Sequence, residues 1–583
     1  MKKFKQKPVW QAVVIGLIIS TMITLLIDYL IPSPWNFRSE GTWVKLFFVV
    51  LIYSFVNAIA ILVSQGKYEA KRYDMHINLP FVIPAIMILA FIICMITGAE
   101  IFNADNYAKI IQVEQVESGD AILSEKDAES IALMDTASAK QLGDREIGAI
   151  ENFSAFNVSD DYIQLNIKED AVKVAPLEYV GLFKWMSNRS EGVTGYVSVS
   201  PTTMTADYVE LEEGMKYIPS AYFNEDLNRH LHYQFPTLMY GNIHFEVDEN
   251  GNPYYVSSVF DKTIGVFGGE IVVGAIITDP VTGDSEYYDV EDIPQWVDYV
   301  FPGDLICELY NIAYKNINGF WNGTSFGANT GCMQTTTTDS HYEDEEGDIV
   351  IEAGTDYGYI AKDGDIYVYT GVTSMAADSS NLGFIMVNER TGYYKYFAVS
   401  SANEQSAMNA AQGEVQQYGY IASFPTLINV DNELAYIGVL KDNSGLVKMY
   451  YMVNVKDYGK VVVADSREAC VAKYAEKLGL NVNEDIIGSV PEDDTSVEST
   501  PVEFTIFVIQ YVDVDGNTYV YMGTADGKVY KALFKDNEQL LFAKVGDTVK
   551  GSESDGKLSV TGILRTDANG VVTEVFSVPE KEE

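Results

Sequence analysis

The sequence predicts an α-helical membrane anchor followed by a β-rich exterior of tandem antiparallel ββ–ββα modules and a small closing β-barrel. Three observations carry this. Three uninterrupted apolar segments occupy the first hundred residues, a strand–turn–strand pattern ending in a helix recurs from about residue 155, and an acidic linker precedes a last run of short strands. The expected organisation is a three-helix anchor at 1–98, a neck and helix at 99–154, and four α+β modules at 155–237, 238–334, 335–420 and 421–483. An acidic linker at 484–502 and a barrel at 503–583 complete it.

The anchor is read from length and charge. Trp10–Ile31 carries only Asp28, Trp43–Ser64 only Lys45, and Leu79–Gly98 no charge. Each holds about 20 residues, and at about 1.5 Å per residue that length crosses about 30 Å of hydrocarbon. Lys2, Lys3, Lys5 and Lys7 precede the first segment, and Lys67, Lys71 and Arg72 lie between the second and third. The intervening loop offers Arg38 balanced by Glu40. Positive residues favour the cytoplasmic side, so the N-terminus and the 65–78 loop are expected inside, and 99–583 outside, a bacterial cell membrane. Trp10, Trp35 and Trp43 stand near segment ends, where indole favours the headgroup layer. The first segment is longer than a signal-peptide core and two more follow, so it is read as retained. Pro80 and Pro84 are expected in the first turns of the third helix, and Asn57 as a hydrogen-bonding group between helices.

Composition bounds the partners. The formal net charge is −44, with 83 Asp and Glu against 39 Lys and Arg. The basic residues are dispersed, so nucleic acid is not an expected partner. The expected partners are the bilayer, through residues 10–98, and a protein of the envelope or a second copy. Cys94, Cys307, Cys332 and Cys470 form no disulfide framework and no metal-ligand spacing, although a Cys307–Cys332 bridge stays open. No cofactor and no metal site are expected.

The repeat is degenerate but consistent. Its first copy reads FNVSDDYIQLNI, GYVSVSPTTMTADYVEL and the helical AYFNEDLNRHLHYQF. The second reads HFEVDENGNPYYVSSVF, GAIITDPVTGDSEYYDV and helices around IPQWVDYV and PGDLICELYNIAYKN. The third reads YGYIAKDGDIYVYTGV, GFIMVNERTGYYKYFAV and NEQSAMNAAQGEVQQY, and the fourth FPTLINVDNELAYIGVL, KMYYMVNVKDYGKVVVA and SREACVAKYAEKLG. Apolar and polar residues alternate in each strand, as in a sheet with one covered face. Two architectures fit: α+β modules of the PepSY or cystatin-like kind, in which each sheet wraps its helix, or four propeller-like blades. The helix in every unit favours the first. After the linker, short strands from VEFTIFVIQYV to VVTEVFSV read as an OB or SH3-like barrel, without the basic groove that nucleic-acid binding needs.

The segments DTASAKQLGDREIG, PLEYVGLFKW, KYIPSAYFNEDLNRHL, TIGVFGGE, DPVTGDSEYYDVEDIPQWVD, NGFWNGTSFG and DNSGLVKMYYMVNV resemble a family of multi-span envelope proteins of Gram-positive (Firmicutes) bacteria with a PepSY-like exterior. The resemblance covers most of 100–475. It implies a cell-surface location and no activity, because the family brings no catalytic motif.

Candidate chemistry is tested residue by residue. Gly323, Ser325 and Gly327 match GxSxG, but a nucleophile elbow needs a strand before it and a helix after it, and His341 follows too soon. His230 and His232 are expected on a helix that separates them from each other and from His244. Asp513, Asp515 and Asn517 read as a hairpin turn, since Thr518 holds the position a calcium loop gives to glycine. Gly265, Gly268, Gly269 and Gly274 lie between strands and open no helix, so they do not cradle phosphate. What remains is the Gly- and Thr-rich stretch 319–338, whose Phe320, Trp321 and Phe326 make it the candidate partner-binding loop. The expected function is a non-enzymatic, membrane-anchored binding or scaffold protein. A regulator of a secreted or membrane protease is the alternative, and an envelope hydrolase the second alternative.

Overall fold

The computed structural model describes residues 9–65, 74–116, 123–124, 136–147, 155–480 and 500–577, with short gaps inside the last two ranges. The basic residues that set the expected orientation, apart from Arg38, and most of the expected linker lie outside the described residues.

Three helices, α1 (Val9–Leu30), α2 (Glu40–Gln65) and α3 (Asp74–Gly98), are long and apolar enough to cross a membrane. Most of their large side chains are exposed in the chain by itself, as lipid-facing surface would be. Small residues bring α1 and α2 together: a Cβ on Gly16 would stand 3.4 Å from the Cα of Asn57, which is itself buried. The third helix begins at Asp74, so Pro80 and Pro84 lie in its interior and not in its first turns. Each removes one backbone donor, which membrane helices tolerate because neighbours satisfy the freed carbonyl.

The expected neck begins with α4 (Glu100–Tyr107) and β1 (Val113–Gln115), and β2 (Leu123–Ser124) follows. The helix expected around Asp127–Leu142 is described as α5 (Thr136–Ile147). The next strands are β3 (Phe156–Val158), β4 (Ile163–Ile167) and β5 (Asp170–Tyr179), and after α6 (Leu182–Asn188) come β6 (Val193–Ser200) and β7 (Thr205–Met215). Strands β4 to β7 form an antiparallel meander, with β3 added beside β5. After α7 (Leu227–Gln234), a second meander comprises β8 (Met239–Val247), β9 (Pro253–Ile264), β10 (Gly268–Thr278) and β11 (Ser285–Asp289).

Helix α8 (Gly303–Lys315) precedes β12 (Met333–Thr335) and a separate hairpin of β13 (Thr337–Glu343) and β14 (Ile349–Thr355). The third meander is β15 (Gly358–Lys362), β16 (Asp365–Ser374), β17 (Ala377–Asn388) and β18 (Tyr394–Phe397), with β19 (Ser401–Ala402) beside β17. Helix α9 (Glu404–Glu414) and β20 (Ile421–Ala422) lead into the fourth: β21 (Thr426–Val430), β22 (Glu433–Lys441), β23 (Val447–Asn454) and β24 (Val461–Ala464), followed by α10 (Arg467–Leu478). The early strands tie the region together, because β1 adds in parallel to β18 and β2 to β21.

Two helix readings change. The segment around IPQWVDYV is not helical, since Pro294 limits it and the N–H groups of Asp298 and Tyr299 bond sideways to the Glu246 carboxylate at 2.9 and 3.1 Å. The expectation that each sheet wraps its own helix holds for α10, which packs on β23 and β24. It fails for α8: Ile306 and Tyr310 pack with Val368, Val372, Ile385 and Val387 of the sheet that follows. An apolar stripe needs an apolar face, and chain order does not say which neighbour supplies it.

Residues 488–583 form a second compact unit. Within it, β25 (Thr500–Thr505), β26 (Val508–Val514), β27 (Asn517–Gly523), β28 (Val529–Leu533), β29 (Thr548–Ser554), β30 (Lys557–Thr566) and β31 (Val572–Ser577) make a four-stranded and a three-stranded sheet over one core. Asp513 pairs with Thr518 and Val514 with Asn517 in the β26–β27 hairpin, and Asp515 of the expected turn lies outside the described residues.

Candidate functional site at the helix–sheet seam

The charges of the apolar helices define the first part of the site. Because α1 and α2 form an antiparallel pair with a short connection, Asp28 near the end of one and Lys45 near the start of the other reach the same level. Lys45 Nζ donates to Asp28 Oδ1 at 2.5 Å and to the Ser33 carbonyl at 2.7 Å, and lies 4.3 Å from the centre of the Trp35 ring. The other Asp28 oxygen faces His232 Nε2 at 3.2 Å. All three side chains are buried. A buried ion pair persists only where its remaining bonding capacity is met, and here a carbonyl, an indole face and an imidazole meet it.

His232 reaches Asp28 because α7 lies over the end of α1. Asp226 caps α7 by accepting from the Arg229 N–H at 2.8 Å, and the i, i+3 spacing puts Arg229 and His232 on one face. Arg229 Nε donates to the Tyr29 carbonyl at 2.8 Å and its guanidinium lies over the Tyr29 ring. His230 turns the other way, to the Gly283 carbonyl at 2.6 Å.

A second contact seats the β9–β10 hairpin on the end of α3. A Cβ on Gly98 would stand 2.8 Å from Gly268 N, and one on Gly265 would stand 2.6 Å from Gly98 N, so only glycines permit this approach. Phe267, at the hairpin tip, packs on Trp43 and Phe91. The loop between α1 and α2 adds Trp35 N–H to the Pro236 carbonyl at 2.7 Å and an exposed Arg38–Asp261 pair at 2.6 Å. The region after the helices is therefore docked on them through several independent contacts.

A different polar group lies deeper, where the first three meanders meet. His244 and Glu246 come from β8, Lys173 from β5, Asp298 from the loop before α8 and Glu389 from the turn after β17. His244 Nε2 and Glu246 Oε1 are 2.8 Å apart. Asp298 Oδ2 accepts from Asn166 N–H at 2.6 Å, but its Oδ1 and both Glu389 oxygens have no hydrogen-bond partner among the described residues. Burial, reinforced by the Glu246 charge, holds the Asp298 carboxyl well above its usual range. Burial, with the charges of Asp298 and Glu246, does the same to Glu389, while Lys173 opposes it. Raised carboxyls are general-acid chemistry when a substrate reaches them. Glu246 and Glu389 are 0 % exposed and Asp298 1 %, so the arrangement serves the interior of the fold.

The candidate loop follows α8. Phe320 and Trp321 meet edge-to-face at 5.3 Å, Trp321 is 66 % exposed, and Phe326 is 94 % exposed. The loop is knitted from within: Asn318 and Asn322 donate to the Thr330 carbonyl at 2.8 and 3.0 Å, and Gly327 N–H to Thr324 at 2.8 Å. Ser325 follows a helix and turns, not the strand of a nucleophile elbow. Cys307 and Cys332 are buried free thiols, which closes the question of a bridge. Among the described residues no cluster of His, Cys, Asp and Glu has the geometry of a metal site. Comparison with protein-family models and with curated proteins finds no match to this chain.

In the sequence Asp28 and Lys45 stand as the lone charges of their helices, and the short antiparallel connection is the signal that could pair them. The glycines at 265, 268 and 269 read in the sequence only as residues between strands that cradle no phosphate. His232 is singled out in the sequence only as a metal-ligand candidate, and nothing local marks Asp298 or Glu389.

Proposed function

We propose that this chain is a membrane-anchored extracytoplasmic scaffold of a bacterial cell envelope, non-enzymatic, which presents binding modules at a set height and angle over the bilayer. The observation that carries the reading is the seam. A tether would keep a module near a membrane; a buried Asp28–Lys45–His232 group and a glycine-only hairpin contact also fix its orientation. A fixed platform suits a protein that positions an envelope partner or a second copy of itself. The four meanders with associated helices are compatible with the PepSY-like reading and with the resemblance to Firmicutes envelope proteins. The two-sheet terminal unit is compatible with an OB-like barrel.

The same seam favours the second reading, a regulator of a secreted or membrane protease, because α7 of the exterior shares a buried carboxylate with α1 and α2. In-cell crosslinking of the tagged full-length protein, with purification and mass spectrometry, tests both. A specific non-protease partner is expected for the scaffold, and a protease partner for the regulator. Recovery of the chain only with itself identifies self-assembly, and recovery alone sinks both readings. A Ser325→Ala variant that lost ester hydrolysis shown by the parent would instead establish a hydrolase.

A further inference from the structure

The aromatic loop has a position as well as a composition. From Asn316 to Thr338 the chain carries no Asp, Glu, Lys, Arg or His, in a protein whose formal charge is −44. The base of this loop is tied to the end of α3. Glu100 stands two residues past Gly98, and its Oε2 accepts from Lys315 Nζ at 2.9 Å and from Asn316 Nδ2 at 3.1 Å. The loop therefore leaves α8 at the level where the third apolar helix ends.

The segment beside it, α4, carries Glu100 and Asp105 but also turns apolar side chains outward. Tyr107 donates to the Gly98 carbonyl at 2.7 Å, and Asn103 Nδ2 to the Thr97 carbonyl at 2.9 Å. Nine residues of straight helix would rise about 13 Å, beyond the reach of a tyrosine side chain. Helix α4 therefore folds back over the end of α3 and does not extend it. Phe102, 70 % exposed, and Ile101 lie exposed on this turn, as do Trp321, Phe326 and Ile317 on the loop. Exposed aromatics and aliphatics on two segments, joined by the Glu100 contacts and continuous with a helix end, have the composition of a headgroup-level belt.

We infer that the 317–326 loop and the start of α4 form an interfacial membrane contact, with Trp321, Phe326 and Phe102 buried at the headgroup–acyl boundary of the leaflet nearest the exterior. The occupant of this surface is lipid, not a protein partner. This assigns the candidate loop to the bilayer, and it rests on α1 to α3 spanning a membrane, not on the scaffold reading. An uncharged loop is what such a contact requires, because carboxylates would repel anionic headgroups and lose hydration on insertion.

The test is site-specific photocrosslinking in cells, with a benzophenone amino acid replacing Phe326 in the full-length protein. Phe48, exposed on α2, serves as the lipid-facing control, and exposed Tyr458, in the turn between β23 and β24, as the solvent control. Both Phe326 and Tyr458 are surface positions, so the fold survives replacement. Lipid adducts on the 326 peptide, in yield of the same order as at 48 and well above 458, are expected. A protein adduct at 326, or no adduct while 48 labels, overturns the inference. A Trp321→Asp, Phe326→Asp variant carrying the probe at Phe102 gives a second readout, a several-fold fall in lipid adducts at 102. Unchanged labelling there would show that the loop does not hold α4 to the bilayer.

Discussion

The chain buries acidic groups in two places and treats them in opposite ways. At the seam, the Asp28 carboxylate has Lys45 on one oxygen and His232 on the other. In the centre of the meanders, Glu246, Asp298 and Glu389 share the neighbourhood of Lys173, and three of their oxygens accept no hydrogen bond among the described residues. Removing charge from water is offset at the first site by opposite charge and at the second, for Asp298 and Glu389, by keeping protons. The seam is thus built to hold an ion pair, and the centre to hold Asp298 and Glu389 as neutral acids.

The largest expected effect comes from breaking the compensation at the seam. Asp28→Ala leaves Lys45 buried without its carboxylate and is expected to destabilise the docked state by about 3–5 kcal/mol. Limited proteolysis and thermal unfolding in nanodiscs would read this. Replacing both, Asp28→Leu with Lys45→Met, should recover most of the loss; if the double variant is as unstable as the single, the ion pair is more than a local balance.

Next comes the centre, with the opposite sign. Unfolded carboxyls titrate near pH 4, whereas Asp298 and Glu389 are held above that range in the fold. Their contribution is full below about pH 4 and is lost as pH rises through their raised folded values. Glu389→Gln, which is neutral at every pH and adds donors beside Asp298, should therefore be more stable than the parent by about 1 kcal/mol or more near neutrality. The advantage should vanish on acidification. A variant less stable at pH 7 and equal at pH 4 would mean that the ionised Glu389 is the stabilising form.

Glycine contact at the hairpin ranks close behind. Gly265→Ala meets Thr97 and Gly98 backbone at a positive φ of 62°, and is expected to cost about 1–3 kcal/mol and to loosen the hairpin in hydrogen exchange. Smallest is Arg38→Ala. Its pair with Asp261 is exposed on both sides, at 50 % and 37 %, so removal should change stability by less than about 1 kcal/mol. A larger loss would make the exposed rim of the seam as important as its buried centre.

What the sequence by itself determined is whatever depends on neighbours in the chain. Helix length, the absence of charge in α3, strand alternation and hairpin turns are local, and they located the three helices and the strands of the second, third and fourth meanders; in the first, β5 (Asp170–Tyr179) falls in what reads as a connection. The aromatics at 320, 321 and 326, the last two of them exposed, are legible as an anomaly for the same reason. Tertiary structure alone decided which sheet receives α8, which carboxylate meets His232, and that Glu246, Asp298 and Glu389 gather where three sheets meet. These depend on contacts between residues far apart in sequence, and no local pattern encodes a partner. The environment of Glu389 is the clearest case: a polar residue after a strand reads as a turn, and only packing against two other sheets removes it from water.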